Sequence, residues 1–238
     1  RVYRSLHENA VNALVLGEGE TSNISSFVLN MTGTFEDYWS HQVNAKAKYD
    51  VRKSEREPLN TIFLGTEGLD QFYPLYLKRM RELGSPGLSK QLFSRMADSF
   101  GTAFRFVITI KGDEVVAAST LLTHNGRWMG HPWSVSHSGF RGSSVNYAHY
   151  RDIIRYGFER GFAVFSMGPS LTNSRWCRIK RRFGALEYPV LRTDGQPVVH
   201  ASQRLPVRLI SQIIKRSPPM LYRIYTPYLA KVATKLLD

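Results

Sequence analysis

The sequence contains a single cysteine, Cys177. A disulfide framework is therefore excluded, and so is a metal site with two sulfur ligands. The histidines form no HxH or HxxxH pair, which argues against a structural zinc site, and nothing in the chain calls for a metal. No apolar run of about 18 residues occurs, so no segment reads as a membrane-spanning helix. There is no signal-peptide core either, and the expected location is the cytoplasm. The chain opens on Arg1 instead of Met and reads as part of something longer, with residues 1–33 a remnant of a preceding domain. Acidic residues are also scarce, 19 against 32 lysines and arginines.

What is present suits a folded protein with a polyanionic partner. Of 238 residues, 42% are hydrophobic and 12% aromatic, enough for a real core. The net charge of +13 is concentrated near the C-terminus. Residues 170–238 hold 13 lysines and arginines against Glu187, Asp194 and Asp238 alone. Such an excess fits nucleic acid, an anionic lipid surface or a phosphorylated substrate. No RNP-type, zinc-finger or helix-turn-helix pattern accompanies it, so DNA is not expected as a partner.

Periodicity gives an ordered alternation. Residues 2–15 read as a helix and 21–31 as containing a short strand. Residues 34–57 read as one polar helix with Phe35, Tyr38, Trp39 and Val43 on one face, closed by Pro58. A strand is expected over 60–65, then helices over 69–83 and 88–100, each stopped by glycine. Alternating Phe104, Phe106, Ile108 and Ile110 mark a strand over 103–110. A hairpin leads to a strand over 115–123. Asn125-Gly126 then sets a type I′ turn into a third strand over 127–137, with Pro132 marking a bulge or interruption. A loop at 138–143, a helix at 144–160, a strand at 162–167, a basic helix at 173–183 and a strand at 185–192 follow, with a short strand at 198–201 last.

From Asn60 onward this order resembles that of GNAT acyltransferases. The fold class implied is α/β, an α+β mixed sheet with helices on both faces, over residues 34–202. A C-terminal amphipathic helical tail occupies 203–238. In that fold the donor's phosphates sit where the helix after the third hairpin strand begins. A helix N-terminus offers unpaired N–H groups and partial positive charge to an anion. Here that position reads Gly139-Phe140-Arg141-Gly142-Ser143-Ser144. Gly139 and Gly142 permit close backbone approach, Arg141 adds charge, and Ser143 or Ser144 caps the helix. The loop departs from the usual coenzyme A pattern, Arg/Gln-x-x-Gly-x-Gly/Ala. An ordinary strand-to-helix turn with a serine cap is the plainer account of it.

A narrower resemblance comes from Phe165-Ser166-Met167-Gly168-Pro169-Ser170 followed by Ile179-Lys180-Arg181-Arg182-Phe183-Gly184. Together with Arg52-Lys53-Ser54-Glu55 and Leu83-Gly84-Ser85-Pro86, these resemble FemAB-related proteins, including those associated with PEP-CTERM systems. Their signature runs Phe-Asp-Phe-Gly-Arg-Ser, then Phe-Lys-x-x-Trp-Gly. Ser166 and Pro169 stand where the family has aspartate and arginine. The resemblance implies a donor, acyl-CoA or aminoacyl-tRNA, and an amine acceptor on a cell-envelope or polysaccharide-related molecule.

Three residues are candidates for the chemistry. His137, at the end of the third hairpin strand, is placed to act as a general base on the attacking amine. His131 falls on the same face if the strand is regular. Asn146 is placed to hold a carbonyl or amide of the acceptor. Lys180 matches the family lysine and would pair with a phosphate or stabilise a leaving group; the plainer account makes it one of five cations on a solvated face. Cys177 lacks an evident catalytic partner.

The tail reads as two amphipathic helices separated at Pro218-Pro219, the second interrupted at Pro227, with Arg204, Arg208, Lys215, Arg223, Lys231 and Lys235 on their polar faces. It is expected to dock on an anionic membrane at its inner face, each cation contributing about 1 kcal/mol. The alternative is docking onto the protein itself. Two functional readings follow: an N-acyl- or aminoacyltransferase, or a non-catalytic module of the same fold that binds anionic lipid, RNA or a partner protein.

Overall fold

The computed structural model describes residues 24–140, 144–190 and 205–237. The expected helix at 2–15 and the strand at 198–201 lie outside these residues.

A strand β1 (Ile24–Asn30) is followed by helices α1 (Phe35–His41) and α2 (Ala45–Ser54). The single helix expected over 34–57 is thus two. Asn44 has extended backbone, its side chain caps α2 by accepting from Lys46 N–H, and its own N–H donates to Arg182 O at 2.8 Å. A good N-cap in mid-segment outcompetes helix continuation when a tertiary bond holds it there.

Next come β2 (Leu59–Leu64), α3 (Leu69–Leu83) and α4 (Lys90–Phe100). Gly84 ends α3 with φ of +74° and Ser85 N–H returns to Met80 O, a glycine-terminated Schellman closure. Strands β3 (Phe104–Lys111) and β4 (Glu114–His124) form a hairpin. Asn125 and Gly126 turn the chain again with φ of 50° and 62°, both positive as a type I′ turn requires. The expected third strand is broken into β5 (Trp128–Gly130) and β6 (Ser134–Ser136), because Pro132 has no N–H for a ladder bond. Helix α5 (Val145–Glu159), strand β7 (Val164–Leu171), helix α6 (Arg175–Arg182) and strand β8 (Leu186–Pro189) complete the sheet region. Helices α7 (Leu205–Arg216) and α8 (Pro219–Leu237) follow.

The strands lie in the order β2-β3-β4-β5-β7-β1-β8, with β6 beside β4. Strand β1 sits between β7 and β8, so Ile24–Asn30 belong to the same sheet as the strands after residue 33 and not to a preceding domain. Among the described residues only β5 and β7 pair in parallel.

Alternation along β3 divides the core. Phe104, Phe106 and Ile108 pack with Phe72, Tyr76 and Phe93 of α3 and α4. Val107 points the other way, into a larger cluster with Tyr38, Val51, Ile153, Ile154, Cys177 and Phe183, where α1, α2, α5 and α6 meet the sheet.

The C-terminal helices dock on α3 and the loop behind it. Tyr222 Oη donates to Ser85 O at 2.7 Å, Arg81 donates to Ser217 O at 2.8 Å, and Gly87 N–H donates to Thr226 Oγ1 at 2.6 Å. Pro227 lies inside α8 and does not interrupt it; the buried Tyr222 and Thr226 fix the turn just before it. Leu209, Ile213, Met220, Leu221, Ile224 and Tyr228 are exposed. No helix among the described residues is long and apolar enough to cross a membrane.

Candidate active site where two parallel strands part

Strands β5 and β7 pair for three residues, Trp128 with Val164, Met129 with Phe165 and Gly130 with Ser166. Gly130 carries no Cβ because one would lie 2.6 Å from the Trp128 ring. One further bond, His131 N–H to Ser166 O at 3.3 Å, closes the contact. Beyond it β6 pairs only with β4, while β7 continues beside β1. Two backbone edges therefore diverge at the C-terminal ends of parallel strands. Open sheets bind ligands at such a point, because the helices leaving the two strands set their N-termini around the gap.

Residues 165–170 and 179–184 meet here. Lys180 Nζ donates to Gly168 O at 2.8 Å, Pro169 O at 3.3 Å and Ser170 Oγ at 2.9 Å, and lies 5.3 Å from the Phe27 ring centroid. Its three N–H groups are thereby matched to oxygens of β7. Lys180 is 4% exposed, so it is not on a solvated face. Burial without a carboxylate draws its pKa down to about 8. Gly168 takes φ of +72° next to the register shift at Phe27/Val28, and its bulge turns the carbonyls toward the ammonium.

His131 and His137 do not share a face, because the strand breaks between them. His131 is buried, and its Nε2–H donates to Met167 O at 2.8 Å. Its Nδ1 has no hydrogen-bond partner among the described residues. Burial first, then the Lys180 charge, pushes its pKa down to about 3, so it is a neutral link between β5 and β7. His137 faces α3 instead. Its Nε2 lies 2.5 Å from Lys78 Nζ and 3.5 Å from Glu114 Oε1, and Gly139 N–H donates to its Nδ1 at 3.1 Å. Lys78 can only donate, so a neutral ring accepts either from Lys78 at Nε2, with its proton on Nδ1, or from Gly139 at Nδ1, with its proton on Nε2 toward Glu114.

The expected phosphate loop is described in part. Gly139 is exposed, and Ser144 is the buried N-cap residue of α5 with no capping hydrogen bond from its side chain. Arg141, Gly142 and Ser143 lie outside the described residues. Asn146 is half-buried in the first turn of α5, and its side chain makes no hydrogen bond among the described residues. Cys177 is buried, with its thiol toward Leu171 O at 2.9 Å, and is inaccessible to a substrate. No group of three potential metal ligands occurs among the described residues.

A buried polar chain passes unnoticed in the sequence. His149 lies between Thr109 Oγ1 and Ser119 Oγ, each at 2.7 Å, and Ser119 reaches Ser134 Oγ at 3.0 Å on β6. Burial pushes the His149 pKa down to about 4. Its signal was a histidine midway between Val145 and Ile153 on the apolar stripe of α5.

The sequence profile of the acetyltransferase (GNAT) domain matches residues 42–178. No curated protein sequence matches. Among solved structures, FemX superposes with a TM-score of 0.59 at 10% identity, covering 73% of this chain and 61% of its own. L-PGS from Bacillus licheniformis gives 0.49 at 12% identity, covering 82% and 66%. The C-terminal domain of a putative lysylphosphatidylglycerol synthetase from Agrobacterium fabrum gives 0.47 at 9%, covering 70% and 58%. The chain thus spans about three-fifths of the length of FemX.

Proposed function

The chain belongs to the acetyltransferase (GNAT) domain family, and on that premise we propose that it moves an acyl or aminoacyl group from an activated carrier to an amine. The observation that carries this reading is the parting of β5–β6 from β7, which leaves backbone edges available to an extended donor arm. The acyl carbonyl then lies in the gap, where the amine attacks it and the bond to the carrier's sulfur or ribose oxygen breaks, the carrier leaving as its thiol or hydroxyl. In this reading His137, beside Glu114, accepts the amine's proton at Nε2, in the tautomer whose Nε2 otherwise accepts from Lys78, and returns it to the departing carrier. Asn146, whose amide makes no hydrogen bond among the described residues, orients the acceptor. Lys180 acts by holding β7 in place, since its three donors are engaged by β7 oxygens.

Two donors suit the reading. Aminoacyl-tRNA gives the +13 charge a direct use in phosphate binding, and acyl-CoA suits the GNAT family. The acceptor, an amine on a cell-envelope or polysaccharide-related molecule, follows from the FemAB-like motifs. Titration of the chain with coenzyme A thioesters, beside filter binding of aminoacyl-tRNA, tests the donor. Binding of one carrier, followed by its transfer to an amine, supports the reading. Binding of neither overturns it and favours the non-catalytic module, for which Ser166 and Pro169 in place of the family's aspartate and arginine already speak.

The tail completes the reading. Exposed Leu209, Ile213, Leu221 and Ile224 beside Arg216 and Arg223 suit an anionic bilayer at the inner face of the membrane. Flotation with vesicles of anionic lipid is expected to carry the protein, and Leu221→Ser/Ile224→Ser to leave it in solution. Flotation unchanged by the double substitution removes the tail as the anchor.

A further inference from the structure

The buried chain around His149 has a direction. Each hydroxyl in it owns one proton, and a neutral imidazole donates from one nitrogen and accepts at the other. Burial holds the ring neutral, with its pKa down at about 4. Ser119 Oγ–H donates to Ser134 Oγ at 3.0 Å, so toward His149 Nε2, 2.7 Å away, Ser119 can only accept. The ring proton therefore sits on Nε2, and Nδ1 accepts from Thr109 Oγ1–H at 2.7 Å. Thr109 in turn accepts from Thr61 on β2, 2.9 Å away. All the protons then point one way, from the edge strand β2 across the sheet to β6. Ser134 closes the run as an acceptor, and its own O–H makes no hydrogen bond among the described residues. Thr109, His149 and Ser119 are buried, whereas Ser134 is exposed.

The open end of the run lies at the gap. Ser134 follows closely on His131, whose N–H makes the last backbone bond to β7, and β6 pairs with β4 on one side only. Ser134 pairs with Ser119 and Ser119 with Val107, which places the Ser134 side chain on the α5 face of the sheet. His137 faces α3 instead. The two side chains thus flank the gap from opposite faces.

We propose that the Ser134 hydroxyl donates to the acyl carbonyl oxygen of the carrier, with Ser119 and His149 as the positioning residues that aim it. The proposal rests on the transferase reading but not on the choice of carrier, since a thioester and an aminoacyl ester both present that oxygen. The amine, served by His137, approaches from the α3 face while the oxygen turns to the α5 face. Negative charge gathers on the oxygen as the amine adds and leaves it as the bond to the carrier breaks. A donor fixed beside it therefore acts above all in the transition state. A hydroxyl that already accepts donates more strongly, because each bond in the run polarises the next.

The first test needs no carrier. Nitrogen NMR of the whole chain, with the His149 signals assigned by their loss in His149→Gln, should place the ring proton on Nε2. A proton on Nδ1 reverses the run, turns the Ser134 proton inward and overturns the proposal. The second test is infrared difference spectroscopy with acetyl-coenzyme A and with an aminoacyl-tRNA, each isotope-labelled at the acyl carbonyl carbon. The bound carbonyl band should lie at lower frequency in wild type than in Ser134→Ala. Ser134→Thr should restore it, and Ser119→Ala should lose part of the shift. Affinity for the bound carrier should weaken only about two- to tenfold in Ser134→Ala. A chain with a structural role alone moves none of these bands. A band that Ser134→Ala leaves unchanged overturns the proposal while the transferase reading stands; one that Ser119→Ala leaves unchanged overturns the positioning roles. If neither carrier binds wild type, the transferase reading falls and the role of Ser134 falls with it, wherever the ring proton sits.

Discussion

Helices α5 and α8 are both amphipathic, yet the chain treats them in opposite ways. Helix α5 buries Tyr147, Tyr150, Ile153 and Ile154 between the sheet and α6. Helix α8 buries Tyr222 and Thr226 but leaves Met220, Leu221, Ile224 and Tyr228 exposed. One helix completes a core; the other is docked by an inner edge of hydrogen bonds and carries an outer apolar face. Helical periodicity was equally plain in both. It reports that a face is apolar, not what covers it.

The sharpest way to break this contrast is one substitution made twice. Ile153→Ala, at a fully buried position, is expected to cost about 2–5 kcal/mol in chemical denaturation. Ile224→Ala, 67% exposed, should stay within about 0.5 kcal/mol. Equal costs would mean that the outer face of α8 is covered in solution.

A charge placed in the α5–α6 core gives the next largest effect. Lys180 has a lower pKa folded than unfolded, so between about pH 8 and its ordinary value the unfolded chain binds the extra proton. Stability should therefore rise with pH across that window, by about 3 kcal/mol in all at roughly 1.4 kcal/mol per unit. Lys180→Met should flatten the slope; a slope that survives assigns it elsewhere. The buried histidines act at the other end. Both His131 and His149 are held neutral, so stability should fall as pH drops below the ordinary histidine range toward pH 3–4. Replacing His149 by Gln should lessen that fall by up to one proton's slope.

On the docked edge of α8, Thr226→Val removes the acceptor for Gly87 N–H and should cost about 1–3 kcal/mol. The smallest effect belongs to the surface. Arg181→Ala breaks an exposed pair with Glu187 and should cost less than about 1 kcal/mol. Should the surface pair prove costlier than the Thr226 hydrogen bond, the docking of the tail is looser than its hydrogen bonds indicate.

Local chemistry made much of the fold legible. Asn125-Gly126 announced its turn because positive φ is a property of those two residues. Helix α3 and its stop at Gly84 could be read from spacing. The break at Asn44 was hidden, since Asn44 caps α2 only while its N–H is held by Arg182 O, far along the chain. The site was legible in its parts alone. Lys180 and residues 168–170 stood out as motif, but a lysine reveals nothing in sequence of the carbonyls it binds. His131 and His137 were placed on one face by a regular alternation that Pro132 abolishes.

The order of strands and helices, the apolar stripes, the turns and the excess of basic charge were determined by the sequence itself. Each depends on the preferences of neighbouring residues and survives without knowledge of any distant partner. Where β5 leaves β7, which cations of α6 are buried or paired, and which side of α8 faces the protein were decided by the tertiary structure alone. Those outcomes hang on burial and on hydrogen bonds between residues remote in sequence, and both exist only once the sheet has assembled.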